Sequence, residues 1–291
     1  MKIITTISQM QDHSDRLRDQ GDRIGFVPTM GYLHEGHASL IRKARDDNHA
    51  LVASIFVNPT QFGPGEDYNS YPRDLERDTS LCRELGCDVL FTPSAEEMYP
   101  RDNVTTVSVA GLTETLCGAS RPGHFDGVTT VVAKLFNIVR PHMAYFGLKD
   151  YQQYLVISRM AKDLDMNIGI VGCPTVREND GLAMSSRNAY LYDDERASAL
   201  TLFRSLEAAR EMVKQGITDP RVIETEVSAV IGSEPATRID YVSIVDAQNL
   251  ASLSIIEDRA LLALAVYVGE ARLIDNTVLE INGKQGTRAG S

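Results

Sequence analysis

Ile24-Gly25-Phe26-Val27-Pro28-Thr29-Met30-Gly31-Tyr32-Leu33-His34-Glu35-Gly36-His37 decides how this chain folds. Ile24 to Val27 has buried-strand character and ends at Pro28. A glycine-bearing turn follows, and a helix starting near His37 carries Leu40, Ile41 and Ala44 on one face. The pattern repeats downstream. Leu51 to Val57 is an apolar strand ending at Asn58-Pro59. Leu75 to Leu85 reads as helix, followed by Gly86 and a strand over Asp88 to Phe91. Val128, Val131, Val132, Leu135, Phe136 and Val139 fall at helical spacing. Ala144 to Phe146 is a strand, Leu155 to Leu164 a helix, and Ile168 to Val171 another strand. Strands alternating with helices predict an α/β, Rossmann-like parallel sheet covered on both faces. Ligands bind outside the carboxyl ends of such strands, which here are residues 28–37, 58–65, 147–153 and 174–187.

Beyond about Pro174 the pattern changes. Leu202, Leu206, Ala209 and Val213 mark a long amphipathic helix, and a second helix covers Pro220 to Ile231. Short strands follow at Ile239–Val245, Ala260–Val268 and Arg272–Ile274. Helices followed by strands predict a smaller α+β domain. The expected division is 1–174 and 175–291, with a mobile tail from Gly283.

The chain has 291 residues, 43% of them hydrophobic, which is enough to bury a core without disulfides or metals. Its 29 Lys+Arg against 40 Asp+Glu give a formal charge of -11, the wrong sign for a broad nucleic-acid surface. Cys82, Cys87, Cys117 and Cys173 form no CxxC pair and read as reduced thiols. The N-terminus lacks the apolar core of a signal peptide, and no run of 18 apolar residues is present. The expectation is a soluble cytoplasmic protein with neither membrane nor nucleic-acid partners.

Five segments can carry chemistry. The turn at Met30 to His37 delivers His34 and His37 where a helix begins, and free N–H groups at a helix start suit phosphate. The same segment also reads as a turn with two surface histidines. Ala183-Met184-Ser185-Ser186-Arg187 offers two hydroxyls and a guanidinium for pyrophosphate oxygens, although Ser-Ser-Arg is common in surface loops. Gly147-Leu148-Lys149-Asp150-Tyr151-Gln152-Gln153 offers close backbone approach and a point charge, or merely an Asp-capped helix start. Asn58-Pro59-Thr60-Gln61 presents two amides beside Phe62, or an ordinary Asn-Pro turn. Arg121-Pro122-Gly123-His124 places a guanidinium and an imidazole near a turn, for a carboxylate or for none. No GxxxxGKS or GxxxxGKT, no GxGxxG and no GxSxG segment occurs.

The order of these segments is more specific than any one of them. His34-Glu35-Gly36-His37 resembles the HxGH signature of the nucleotidyl-transferase superfamily, and Met184 to Arg187 resembles its KMSKS-like signature. Residues 28–37, Phe56 to Phe62, Tyr71-Pro72-Arg73, Arg121 to Phe125 and Gly147 to Gln153 together resemble the pantothenate synthetase family, over nearly the whole chain. The resemblance implies ATP-dependent condensation of (R)-pantoate with β-alanine through a pantoyl adenylate, in a homodimer, with Mg2+ on the phosphates. It implies an ATP site of Met30, Gly31, Tyr32, Leu33, His34, Glu35, Gly36, His37, Gly147, Leu148, Lys149, Asp150, Val176, Met184, Ser185, Ser186 and Arg187. His34, His37, Lys149, Ser186 and Arg187 would act in catalysis. Gln61, Gln153, Asn58, Tyr71, Arg121 and His124 would face pantoate and β-alanine. Leu148 departs from the glutamate common in the family. No residue is singled out as a metal ligand; acidic residues such as Asp78 are within reach of the idea. A nucleotidylyltransferase that keeps its adenylated product shares both signatures. A tRNA-charging enzyme is disfavoured by the acidic charge.

Overall fold

The computed structural model describes residues 1–281, so the expectation for the tail from Gly283 lies outside the described residues. The strands of the first sheet are β1 (Lys2–Ile4), β2 (Ile24–Thr29), β3 (Ala50–Ile55), β4 (Val89–Phe91), β5 (Met143–Gly147) and β6 (Gly169–Cys173). They lie in the order β1-β4-β3-β2-β5-β6, and every pair is parallel. Helices α1 (Ile7–Asp19), α2 (Glu35–Asp47), α3 (Leu75–Glu84), α4 (Ala95–Met98), α5 (Leu116–Ser120), α6 (His124–Val139) and α7 (Tyr151–Asp163) connect them.

β2 runs two residues beyond the valine where the sequence reading ends it. Pro28 lacks an N–H, which normally bars it from a central strand. Here β5 pairs only with Gly25 and Phe26, so Pro28 lies past the end of that ladder and faces Ser54 of β3 alone. From β2 the chain builds outward through β3 and β4, then returns to add β5 and β6 on the other side. The switch point therefore falls between β2 and β5, the crevice where open α/β sheets hold ligands. The two segments leaving those strands are 30–37 and 148–153.

The sheet is held by apolar side chains on both faces. Phe26, Val52, Phe91, Phe136, Phe146 and Ile157 belong to one buried cluster, and Val27, Ile41, Leu51, Leu90 and Tyr145 to another. These alternate along β2 and β3, as period-2 burial on two covered faces requires.

The chain divides into two compact units, one of Met1–Val176 with Met184–Ser186, the other of Arg177–Ala183 with the chain from Arg187 on. The second unit has helices α8 (Asp193–Lys214) and α9 (Pro220–Gly232). Its strands β7 (Thr237–Asp246), β8 (Arg259–Val268) and β9 (Ala271–Glu280) form an antiparallel sheet in the order β7-β8-β9. Leu202, Leu206, Ile223, Val227, Leu262, Leu264 and Val266 fill its core. The α/β parallel sheet followed by a smaller α+β unit matches the expected fold class.

β9 is longer than the Arg272–Ile274 read from the sequence. Asp275-Asn276-Thr277 breaks the apolar alternation, yet Asp275 and Thr277 are both only 3% exposed. Asp275 tolerates burial because Arg177 donates to both of its oxygens, at 2.6 and 2.9 Å. Breaking a buried pair leaves an uncompensated charge. Asp275→Ala is expected to cost about 3 kcal/mol, read as a lower urea midpoint. An unchanged midpoint would show that the pair contributes nothing net.

Candidate active site

His34 sits in extended backbone (φ -133°, ψ 178°) and caps the start of α2. Its Nδ1 accepts from the Gly36 N–H at 3.2 Å, while the Nδ1 of His37 accepts from the His34 backbone N–H at 3.3 Å. This is a capping box built from two imidazoles. The ring centroids are 4.1 Å apart. Both Nδ1 atoms accept, so the hydrogens sit on Nε2. Gly36 is required by the fold-back. A Cβ there would meet the His34 ring at 2.9 Å, and Met184 at 3.7 Å. The two superfamily-like signatures thus meet at Gly36, within the first unit. Met184 donates its N–H to the Val176 carbonyl at 3.0 Å, and the Tyr71 hydroxyl donates to Ser186 Oγ at 3.4 Å, both side chains of that second pair being buried.

His37 keeps partial exposure at its edge, yet burial of the ring, then the nearby His34 and Lys149, push its pKa down to about 3. In the ligand-free site this makes it a neutral donor near pH 7. Lys149 stands in the 3₁₀ turn Leu148–Asp150 that leaves β5, across the switch point from β2. Leu148 packs over β6: a Cβ on Gly172 would lie 2.7 Å from Leu148 Cδ2. Glu35 pairs with Arg42 on the exposed face of α2. Arg187 belongs to the second unit, continuing directly from Ser186.

A second group surrounds Gln61. Its Nε2 donates to Met30 Sδ at 3.2 Å, and its Oε1 accepts from Asn58 Nδ2 at 3.1 Å. Asn58 is 1% exposed, and its amide also donates to the Gly127 carbonyl and accepts from the Tyr99 hydroxyl at 3.0 Å. Asn58 therefore holds Gln61 in place. Arg121 and His124 do the same from the backbone side. His124 Nδ1 donates to the Gln61 carbonyl at 2.8 Å, and Arg121 Nη2 donates to it at 3.1 Å. With Nδ1 protonated, His124 Nε2 accepts from Arg121 Nη1 at 3.2 Å. Burial, then Arg121, push the His124 pKa down to about 4, which suits that neutral tautomer. Arg121 Nε donates to Glu66 Oε1 at 2.7 Å, so the guanidinium has a carboxylate partner inside the protein. Gln153 is half-buried on the first turn of α7. Its neighbour Gln152 is buried and ties down Leu112, Thr115 and Cys117.

The sequence reading does not single out Glu66, Tyr99 or Gly127. Gly127 packs hardest of these: a Cβ there would fall 2.3 Å from the Thr60 oxygen and 2.6 Å from the Gln61 nitrogen. Nothing in the sequence sets this glycine apart from its neighbours, because its role depends on a turn far away along the chain. Among the described residues no group of three or more His, Cys, Asp and Glu is arranged to hold a metal ion, and no helix is long and apolar enough to cross a membrane.

The half-buried imidazoles also set a stability trend. His37, His124, His13 and His142 are all held below the ordinary histidine value, burial being the first cause in each. Between pH ~6.5 and ~5 the unfolded chain takes up protons that these groups refuse in the fold, so stability falls as pH falls. The urea midpoint is expected to be lower at pH 5 than at pH 7. A higher midpoint at pH 5 would contradict the buried neutral state.

The family model for pantoate-beta-alanine ligase matches residues 2–278, and the chain belongs to this family of ATP-dependent α/β enzymes. Pantothenate synthetase of Moorella thermoacetica is 57% identical over 282 residues, covering 97% of this chain and 100% of the relative. That of Caldicellulosiruptor bescii is 54% identical over 280 residues, covering 96% and 99%. The crystal structure of pantothenate synthetase from Thermus thermophilus superposes with a TM-score of 0.91 at 49% identity, covering 95% of this chain and 99% of that one. The pantoate-beta-alanine ligase of Francisella tularensis, solved with beta-gamma ATP and beta-alanine, gives 0.80 at 36% identity, covering 96% and 97%.

Proposed function

We propose that this chain condenses (R)-pantoate with β-alanine to form pantothenate, driven by ATP and releasing AMP and pyrophosphate through a pantoyl adenylate. Family membership over residues 2–278 supports the overall reaction. The observation that carries the site assignment is the pair His34–His37 beside Lys149 at the β2/β5 switch point, with Met30 linking that loop to Gln61. A half-buried cluster of neutral N–H donors and one lysine suits an incoming polyphosphate, and the amide-lined turn suits a small hydroxy acid.

A carboxylate is a poor acyl electrophile, and adenylation makes it a good one. The pantoate carboxylate attacks the α-phosphorus, the bond to the β-phosphate oxygen breaks, and pyrophosphate leaves. The nucleophile is already ionised, so the step calls for alignment and charge stabilisation, not a base. His34 and His37 donate through Nε2–H to phosphoryl oxygens. Lys149 and Ser186 take up charge on the departing pyrophosphate. Met30, Gly31, Tyr32, Leu33, Gly147, Asp150, Val176 and Met184 shape the nucleotide site. Gln61, Gln153 and Tyr71 contact the acid substrates, and Asn58, Arg121 and His124 hold Gln61. Mg2+ bound to the phosphates would neutralise their charge. The neutral amine of β-alanine then attacks the acyl carbon of the mixed anhydride, and AMP departs. A homodimer is inferred from the family resemblance. Sedimentation reading a single chain mass would remove the dimer.

The test is product analysis. ATP, pantoate and β-alanine together should yield AMP and pantothenate in equal amounts, with AMP release dependent on β-alanine. AMP formed equally well without β-alanine, and no pantothenate, would remove the assignment.

A further inference from the structure

Asp78 does not face outward from its helix. It sits in the first turn of α3, is 1% exposed, and its two oxygens accept from two consecutive backbone N–H groups. Oδ2 takes the Tyr32 N–H at 2.7 Å and Oδ1 takes the Leu33 N–H at 2.8 Å. The preceding residue on the same helix grips the same two positions. Arg77 Nη2 donates to the Leu33 carbonyl at 3.0 Å, and its guanidinium lies 5.2 Å from the centre of the Tyr32 ring.

The gripped segment needs holding. Gly31 has φ +87° and Tyr32 has φ +51°, two successive left-handed residues, the second with a bulky side chain. A non-glycine residue there is strained and persists only when its surroundings over-determine it. Gly31 has no room either: a Cβ would lie 2.9 Å from Ile55 Cγ2 and 3.1 Å from Asp78 Oδ2. The next residues are Leu33, 1% exposed, and then the His34 cap.

We infer that Asp78, assisted by Arg77, is a positioning residue for adenylation: it clamps the backbone of Tyr32 and Leu33 in a left-handed turn and so sets where His34 and His37 point. The inference rests on the placement of those histidines at the phosphates proposed above. The chemistry selects a carboxylate. Only an ionised carboxylate accepts at both ends. An asparagine would turn an NH2 toward an N–H, and alanine would orphan two buried donors. Burial, the largest cause, leaves the Asp78 pKa raised above the ordinary carboxylate value, while the Leu33 and Tyr32 N–H groups pull the other way and favour the charged form. A carboxylate committed to two N–H bonds is also a poor candidate for a metal ligand.

Asp78→Asn tests this in pyrophosphate exchange, with unfolding midpoints to show that the variant is folded. A misplacement of about 1 Å costs about 100-fold in rate, so exchange turnover should fall about 100-fold. The Mg2+ concentration for half-maximal rate should stay within about twofold. Amide hydrogen exchange at residues 32 and 33 should quicken. A purely structural role would lower the midpoint and leave turnover per folded molecule unchanged, which would overturn the inference. So would a loss that excess Mg2+ restores, which would make Asp78 a metal ligand. If Asp78→Asn does not fold, Arg77→Gln at an exposed position carries the test. It should lose about tenfold, by the same positioning argument, and a wild-type rate would refute the clamp. Absence of exchange in the wild-type protein would instead refute the proposed reaction, and the hydrogen-exchange readout would still judge the clamp.

Discussion

His37→Ala is expected to lose about 100- to 1,000-fold of the adenylation rate, the range for removing one preorganised donor to a developing charge, while remaining folded. The ring is held by a neighbour's backbone rather than by a core. Its Nδ1 accepts the His34 N–H, which fixes Nε2–H as the donor, and its pKa of about 3 keeps it neutral. Two consequences separate this from a general-acid role. The rate should show no limb near pH ~6.5 from His37, because no proton is taken up there. His37→Gln should recover part of the loss, because an amide also offers an N–H. Steady-state pyrophosphate exchange across pH ~5.5 to ~8 checks both. A limb near neutral pH that vanishes in the variant would mean a titrating imidazole, and a near-wild-type rate in His37→Ala would remove the residue from the chemistry. Lys149→Ala, across the switch point, should fall by a comparable factor.

Gly127→Ala is the second large effect. The added methyl would sit 2.3 Å from the Thr60 oxygen, and backbone atoms cannot move aside as a flexible side chain would. Either α6 shifts or the 3₁₀ turn Pro59–Gln61 does. Overpacking of this kind costs about 1–3 kcal/mol. The functional cost is larger, because Gln61 is held from three sides: Asn58, Arg121 and His124. A displacement of about 1 Å there predicts about a 100-fold loss in kcat/KM for pantoate, with ATP affinity little changed. Equal losses for both substrates would indicate general unfolding, and no loss would mean that the turn tolerates the methyl. The ATP half of the comparison distinguishes this variant from Asp78→Asn, which acts on the nucleotide loop.

Legibility in the sequence follows local physics. β2, β3, β5, β6 and α6 are readable because their apolar runs are continuous or recur at helical spacing, and most residues of β2, β3, β5 and α6 are buried as that pattern demands, while β6 at the sheet edge is mostly half-buried. β1 escapes the reading: it is three residues long, and two of them are exposed. α1 escapes it because its face is polar, its order coming from the Thr6 cap and contact through buried Met10. The end of β9 is hidden by Asp275, whose partner Arg177 lies 98 residues away. In the site, the histidines, Lys149 and Gln61 are visible because chemistry-bearing residues stand at strand ends. The roles of Asp78, Gly127, Glu66 and Tyr99 are not. Each acts by holding the backbone or side chain of a residue distant in sequence, and no local pattern records that. Asp78 stands out only as an acid. Its partners are two backbone N–H groups 45 and 46 residues earlier.

Formation of a pantoyl adenylate as the first step is tested most directly by exchange of labelled pyrophosphate into ATP with pantoate present and β-alanine omitted. Exchange should require pantoate and be abolished or strongly reduced in His37→Ala. Folded protein with Mg2+ and ATP that shows no pantoate-dependent exchange, yet makes pantothenate when β-alanine is added, would contradict the two-step route.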